Sequence, residues 1–184
     1  MHGLARAMAW AGGAVLLATI LTTCASILGR VLADLAHHDL TARLAPAMGA
    51  WLRDVGVGPI TGAVELVEMG MAFAVFAFLP LCQITDGHAA VDLVTARLPA
   101  RVALWLRALA ETAFAGVLIL IAVQLARGTR DRAVSGQTTF LLELPLWWAY
   151  AAGLGAAAVA ALVAVHVAAG RLTAALGRAP GGAP

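Results

Sequence analysis

The stretch MAWAGGAVLLATILTTCASILG, from Met8 to Gly29, contains no charged residue. As a helix rising 1.5 Å per residue it covers about 33 Å, enough to cross the hydrocarbon core of a bilayer. Arg6 precedes it and Arg30 closes it. A secretory leader has a shorter apolar core, and Thr23 is a poor residue before a lipidated cysteine at Cys24. The run is therefore read as a retained membrane span. Three further stretches meet the same test, and the spans fall at about 8–31, 59–85, 102–126 and 144–169. No alternation of the kind that marks membrane β-strands recurs.

The composition agrees. Hydrophobic residues make up 62% of the 184 residues and charged residues 12%, against about 45–50% and about 25% in an ordinary soluble domain. A soluble globule of this size could not hide so much apolar surface. All 12 cations are Arg and the net charge is +2. That leaves no basic excess for a nucleic-acid partner. Cys24 and Cys82 both lie in apolar runs, which excludes a disulfide scaffold. The fold class is an all-α integral membrane protein with four transmembrane helices. It forms a single membrane domain over residues 1–170, with a flexible tail over 171–184.

The connections differ in character. Between the first two spans, Leu44, Met48, Trp51 and Leu52 recur at helical spacing among Arg43, Arg53 and Asp54. This predicts an interfacial amphipathic helix over about 41–54, with Trp51 as its aromatic anchor. The second connection is short and polar, and the third carries Arg127, Arg130, Asp131 and Arg132. Six Arg fall on each side of the membrane, so the positive-inside rule alone gives no orientation. Assigning Arg43 and Arg53 to the interface tilts the balance toward a cytoplasmic N-terminus.

Charges close to a span are costly and are paired or functional. They fall into two layers. One holds Arg30, Glu65 and Glu68, with Arg127 and Glu143 flanking the third and fourth spans on the same side. Antiparallel neighbours bring Arg30 level with Glu65 and Glu68, which predicts a charge-assisted pair acting as a helix clamp. The other layer holds Asp86, His88 and Asp92, then Arg97 and Arg101. Arg107 and Glu111 stand one turn apart on the third span, where they can pair with each other. His166 closes the fourth span on that side. No nucleophile with a base at a recognisable spacing and no phosphate-binding glycine loop occurs, so no catalytic residue is assigned. No residue is assigned to a substrate or a metal either.

Several of these residues come in an order that resembles a known family. Arg30 ends the first span, Glu65-Leu66 opens the second, and Gly87-His88 through Asp92 leaves it. Leu98-Pro99 precedes the third span, and Pro145, Trp147 or Trp148 and Tyr150 open the fourth. The set resembles the small membrane subunit of tripartite ATP-independent periplasmic (TRAP) transporters, the DctQ-like family. The sequence departs from that pattern at Thr61-Gly62, where the family has a Trp, and at Ala89, where it has Ile or Val. Gly153 stands where the family has a Pro.

The resemblance implies a non-enzymatic scaffold in the bacterial inner membrane with both termini cytoplasmic. Its partners would be a large permease subunit, a periplasmic substrate-binding protein and membrane lipid. Solute import, often of a carboxylate, would be driven by sodium. The sodium ions would sit in the large subunit and no cofactor in this chain. Structural or interface roles are expected for Arg30, Trp51, Glu65, Glu68, Asp86, His88, Asp92, Arg107 and Glu111. Two other readings stand beside it: a four-helix redox protein with His88 and His166 as ligands, and a small transporter acting alone.

Overall fold

The computed structural model describes residues 1–37, 54, 56, 58–85 and 99–177. Four long helices account for most of them: α1 (His2–His37), α2 (Ala63–Ile84), α3 (Ala100–Ser135) and α4 (Leu146–Gly177). All four are long and apolar enough to cross a membrane, so the all-α, four-span architecture is as the sequence predicts. Apart from Asp54, the stretch with Trp51 expected to form the interfacial helix lies outside the described residues.

The helices outrun the spans. Three of them run to 32 residues or more, about 48 Å or longer at 1.5 Å per residue. They therefore continue beyond the hydrocarbon. α3 passes through Arg127–Arg132, expected as a connection, and stops only where Gly136 adopts the left-handed conformation at φ 62°. α4 takes in residues 171–177, expected as a flexible tail. An apolar run marks where lipid ends, whereas a helix ends where a residue leaves helical φ/ψ. α2 shows the reverse. It starts at Ala63 rather than at 59, because Gly62 is left-handed at φ 77° and the chain before it turns.

Inside lipid every polar group needs an internal partner. Thr19, Thr22 and Thr23 meet this by donating to the carbonyls of Leu16, Ala18 and Thr19, each at 2.8 Å. Thr112 does the same in α3, to Ala108 at 2.7 Å.

The helices form a row. α3 packs on α4, α4 on α2, and α2 on α1. Small residues make this close approach possible, as expected where no hydrophobic driving force separates helix from lipid. Ala160, Ala161, Ala164 and Ala168 of α4 bury themselves against Ala115 and Leu118 of α3, with Leu79 of α2 beside them. In the most apolar window of α4 44% is buried, against 6% for α1. α4 is thus central and α1 an outer strut.

α1 runs antiparallel to α2, with Gly12 against Ala77 at one end and Gly29 against Gly58, in the segment leading into α2, at the other. Between them, a Cβ at Gly70 would stand 2.6 Å from Thr19 Cγ2 and 3.1 Å from Val15 Cγ1. Thr19 is tied to its own helix and has little room to yield. Gly70→Leu is expected to push α1 off α2 and cost about 2 kcal/mol. Thermal unfolding of the purified chain in mild detergent checks this, and an unchanged midpoint would remove the contact from the account.

Candidate functional site

The antiparallel row gathers the polar residues at its two ends. At one end meet the C-terminal part of α1, the start of α2 and the loop joining α3 to α4. At the other meet the start of α1 and the ends of α2 and α4.

The loop is built from backbone bonds. Thr138 and Pro145 form an antiparallel bridge. Thr139 N–H donates to Leu144 O at 2.8 Å, and Leu146 N–H donates to Gln137 O at 2.9 Å. Thr139, which is buried, also accepts Leu144 N–H on its hydroxyl at 3.1 Å. Glu143 sits at φ 53°, a conformation that costs a non-glycine residue about 1–2 kcal/mol. Arg132 holds the loop's first leg through Gln137 Oε1 and lies 5.7 Å from the centre of the Tyr150 ring.

Glu65 fixes this loop to α2. Leu141 N–H donates to Oε1 at 2.7 Å and Leu142 N–H to Oε2 at 3.0 Å. Each oxygen of the carboxylate takes one of two successive backbone donors, and the charge also suits the first turn of a helix. Glu65 is thus a clamp, but its partner is the loop backbone and not Arg30. Among the described residues no ion pair joins Arg30 to Glu65 or Glu68. Arg30 and Glu68 instead line one cleft of about 250 Å³ between α1 and α2, with Ser26 in the same wall. The Ser26 hydroxyl accepts Ile60 N–H at 3.2 Å, tying the approach to α2 onto α1.

Charge-assisted bonds of this kind are shorter and stronger than neutral ones. Glu65→Ala is expected to lower stability and to reduce complex assembly or uptake. Glu65→Gln, which keeps one acceptor oxygen, is expected to lose less. Melting temperatures and uptake by the two variants check this. Wild-type values for Glu65→Ala would end the clamp reading.

On α3, Glu111 is half-buried and its Oε2 is buried without a hydrogen-bond partner. Arg107, one turn before it and itself engaged in a contact, leaves that oxygen unsatisfied. At the opposite end from the loop, His166 lines a cavity with His2, Gln83 and Arg171. Asp86, His88 and Asp92 lie outside the described residues, as therefore does any pairing of His88 with His166.

Three contributors are not readable from the residue pattern. Leu141 and Leu142 act through their N–H groups, which any residue but proline supplies. Gly62 matters because Leu142 covers it: a Cβ there would lie 2.4 Å from Leu142 Cγ. Gln83 did leave a signal, as a lone amide near the end of an apolar run.

The fold and its polar ends define a multi-span membrane protein whose polar side chains tie helices and a loop together. A family model, Tripartite ATP-independent periplasmic transporters, DctQ component, matches residues 43–174. The chain belongs to that family. The matched stretch covers α2, α3 and α4 up to residue 174, and leaves α1, and with it Arg30, outside. No curated protein and no solved structure matches the chain.

Proposed function

We propose that this TRAP-family subunit is a membrane scaffold for a large permease subunit, in a sodium-coupled, binding-protein-dependent importer of an organic acid. The observation that carries the reading is the open row of helices in a member of this family. α1 and α3 flank α4 and α2, and only 6% and 17% of their most apolar windows are buried within the chain. The cleft at Arg30 and Glu68 and the cavity at Gln83 sit at the two ends of the row, and a third cleft lies between the first half of α1 and Leu81 of α2. A solute path runs between helices near mid-bilayer, and a broad row with apolar faces suits bracing better than conduction.

In this reading the subunit lies in the bacterial inner membrane with both termini cytoplasmic. Glu65 and the loop over 138–145 then face the periplasm, where the binding protein arrives. Sodium sites belong to the large subunit and the chain has no catalytic role.

Affinity purification from native membranes in mild detergent tests this. A large polytopic partner is expected in about equal amount, and liposomes holding both chains should take up solute only with the binding protein and a sodium gradient. A monodisperse chain that purifies alone and transports alone would overturn the reading.

A further inference from the structure

The cavity at the end away from the loop is built unlike the others. It measures about 300 Å³ and lies where α1 begins and where α2 and α4 approach their ends. Gln83 lines it, is 1% exposed, and has neither its amide nitrogen nor its amide oxygen hydrogen-bonded. A buried amide without partners costs a few kcal/mol, so some group is expected to meet it. His2, His166 and Arg171 line the same space, and among the described residues no carboxylate does.

α1 points its N-terminal end here. The first bond of that helix is Ala5 N–H to Met1 O at 3.1 Å, so the N–H groups before it have no acceptor inside the helix. They carry the positive end of a 36-residue helix, which favours an anion. Arg171 is engaged in a contact and contributes its charge. At Gly170 a Cβ would meet nothing within 4 Å, so that wall of the cavity is open.

The level in the membrane agrees. The uncharged run of α1 starts at Met8, α2 ends at Ile84, and Arg171 follows the apolar part of α4. The cavity therefore sits at the lipid-headgroup boundary, where basic pockets between spans take phosphate groups. We infer that it binds a phosphate oxyanion. Gln83 and the helix N-terminus donate to it, and His166, His2 and Arg171 surround it. The phosphate belongs either to an anionic lipid headgroup or to a free phosphate ion.

Native mass spectrometry of the full chain tests this and separates the two sources. The chain is released from nanodiscs of phosphatidylcholine alone, or of phosphatidylcholine with a minority of phosphatidylglycerol. In a separate arm it is titrated in detergent with inorganic phosphate. Retention of phosphatidylglycerol over phosphatidylcholine by about tenfold would assign a lipid headgroup. A phosphate adduct without lipid preference would assign the free ion.

Gly170→Leu fills the cavity from its open wall, and Arg171→Gln removes a charge at its rim. Each is expected to abolish the preference or the adduct while the chain still melts cooperatively. The inference is overturned if the wild-type chain retains neither ligand above the phosphatidylcholine background. It is equally overturned if a folded Gly170→Leu variant binds as wild type does. In the first case water alone meets Gln83, and in the second the ligand binds outside this cavity.

Discussion

Replacing Gly29 with valine is expected to lower the stability of the folded chain by about 3 kcal/mol, at the top of the range for overpacking. A Cβ at this position would lie 2.1 Å from Gly58 O and 2.8 Å from Gly58 C. Both atoms are backbone, so no rotamer change relieves the overlap. The segment leading into α2 must lift away from α1, and the Ile60 N–H bond to Ser26 Oγ goes with it. Even Gly29→Ala should destabilise, although alanine is the better helix former by about 1 kcal/mol. Gly13→Ala in the same helix is the control, because a Cβ there meets nothing within 4 Å. It should be neutral or slightly stabilising. Thermal unfolding of the three variants in one detergent gives the comparison. Equal losses for Gly13→Ala and Gly29→Ala would show that the close approach is not the cause.

Gly62→Val should cost a similar amount, by two mechanisms that can be separated. The first is conformational. At φ 77° a side chain costs about 1–2 kcal/mol, and most for a β-branched residue. The second is steric. The new Cβ would fall 2.4 Å from Leu142 Cγ, and Leu142 is held in place by its N–H bond to Glu65. Gly62→Asn, which tolerates the left-handed region, should lose less than valine. Leu142→Ala in the Gly62→Val background should recover the steric part and leave the conformational part. A double-mutant cycle on these two positions reads the coupling directly. Strict additivity would mean that the loop does not rest on Gly62. Because the same displacement strips two donors from Glu65, Gly62→Val should also reproduce the assembly defect of Glu65→Ala.

These glycines show where the reading of residues ended. The four spans were legible because the requirement of the bilayer is one-dimensional: about 20 apolar residues in a row. Met8–Gly29 satisfies it without reference to any other part of the chain. The grouping of Arg30, Glu65 and Glu68 at one end was legible for a related reason, since spans of fixed length and alternating direction bring their ends level. The choice of partner for Glu65 was not. A carboxylate near an arginine and near a turn has two ways to be satisfied, and charge favours the arginine. The fold decided otherwise because the loop between α3 and α4 presents two successive N–H groups at 2.7 and 3.0 Å. Backbone donors leave no trace in residue identity.

The sequence by itself therefore determined that this chain is a four-span helical membrane protein, and its ordered polar residues pointed to the TRAP small-subunit family. Hydropathy is a local sum, and a motif is a local pattern. Tertiary structure alone decided that the helices stand in a row with α4 inside and α1 outside. It alone set Gly29 against Gly58 and Gly62 under Leu142, and left the amide of Gln83 buried without a hydrogen-bond partner in the wall of a cavity among His2, His166 and Arg171. Each of these depends on distances between residues far apart in the chain, and such distances are fixed by packing.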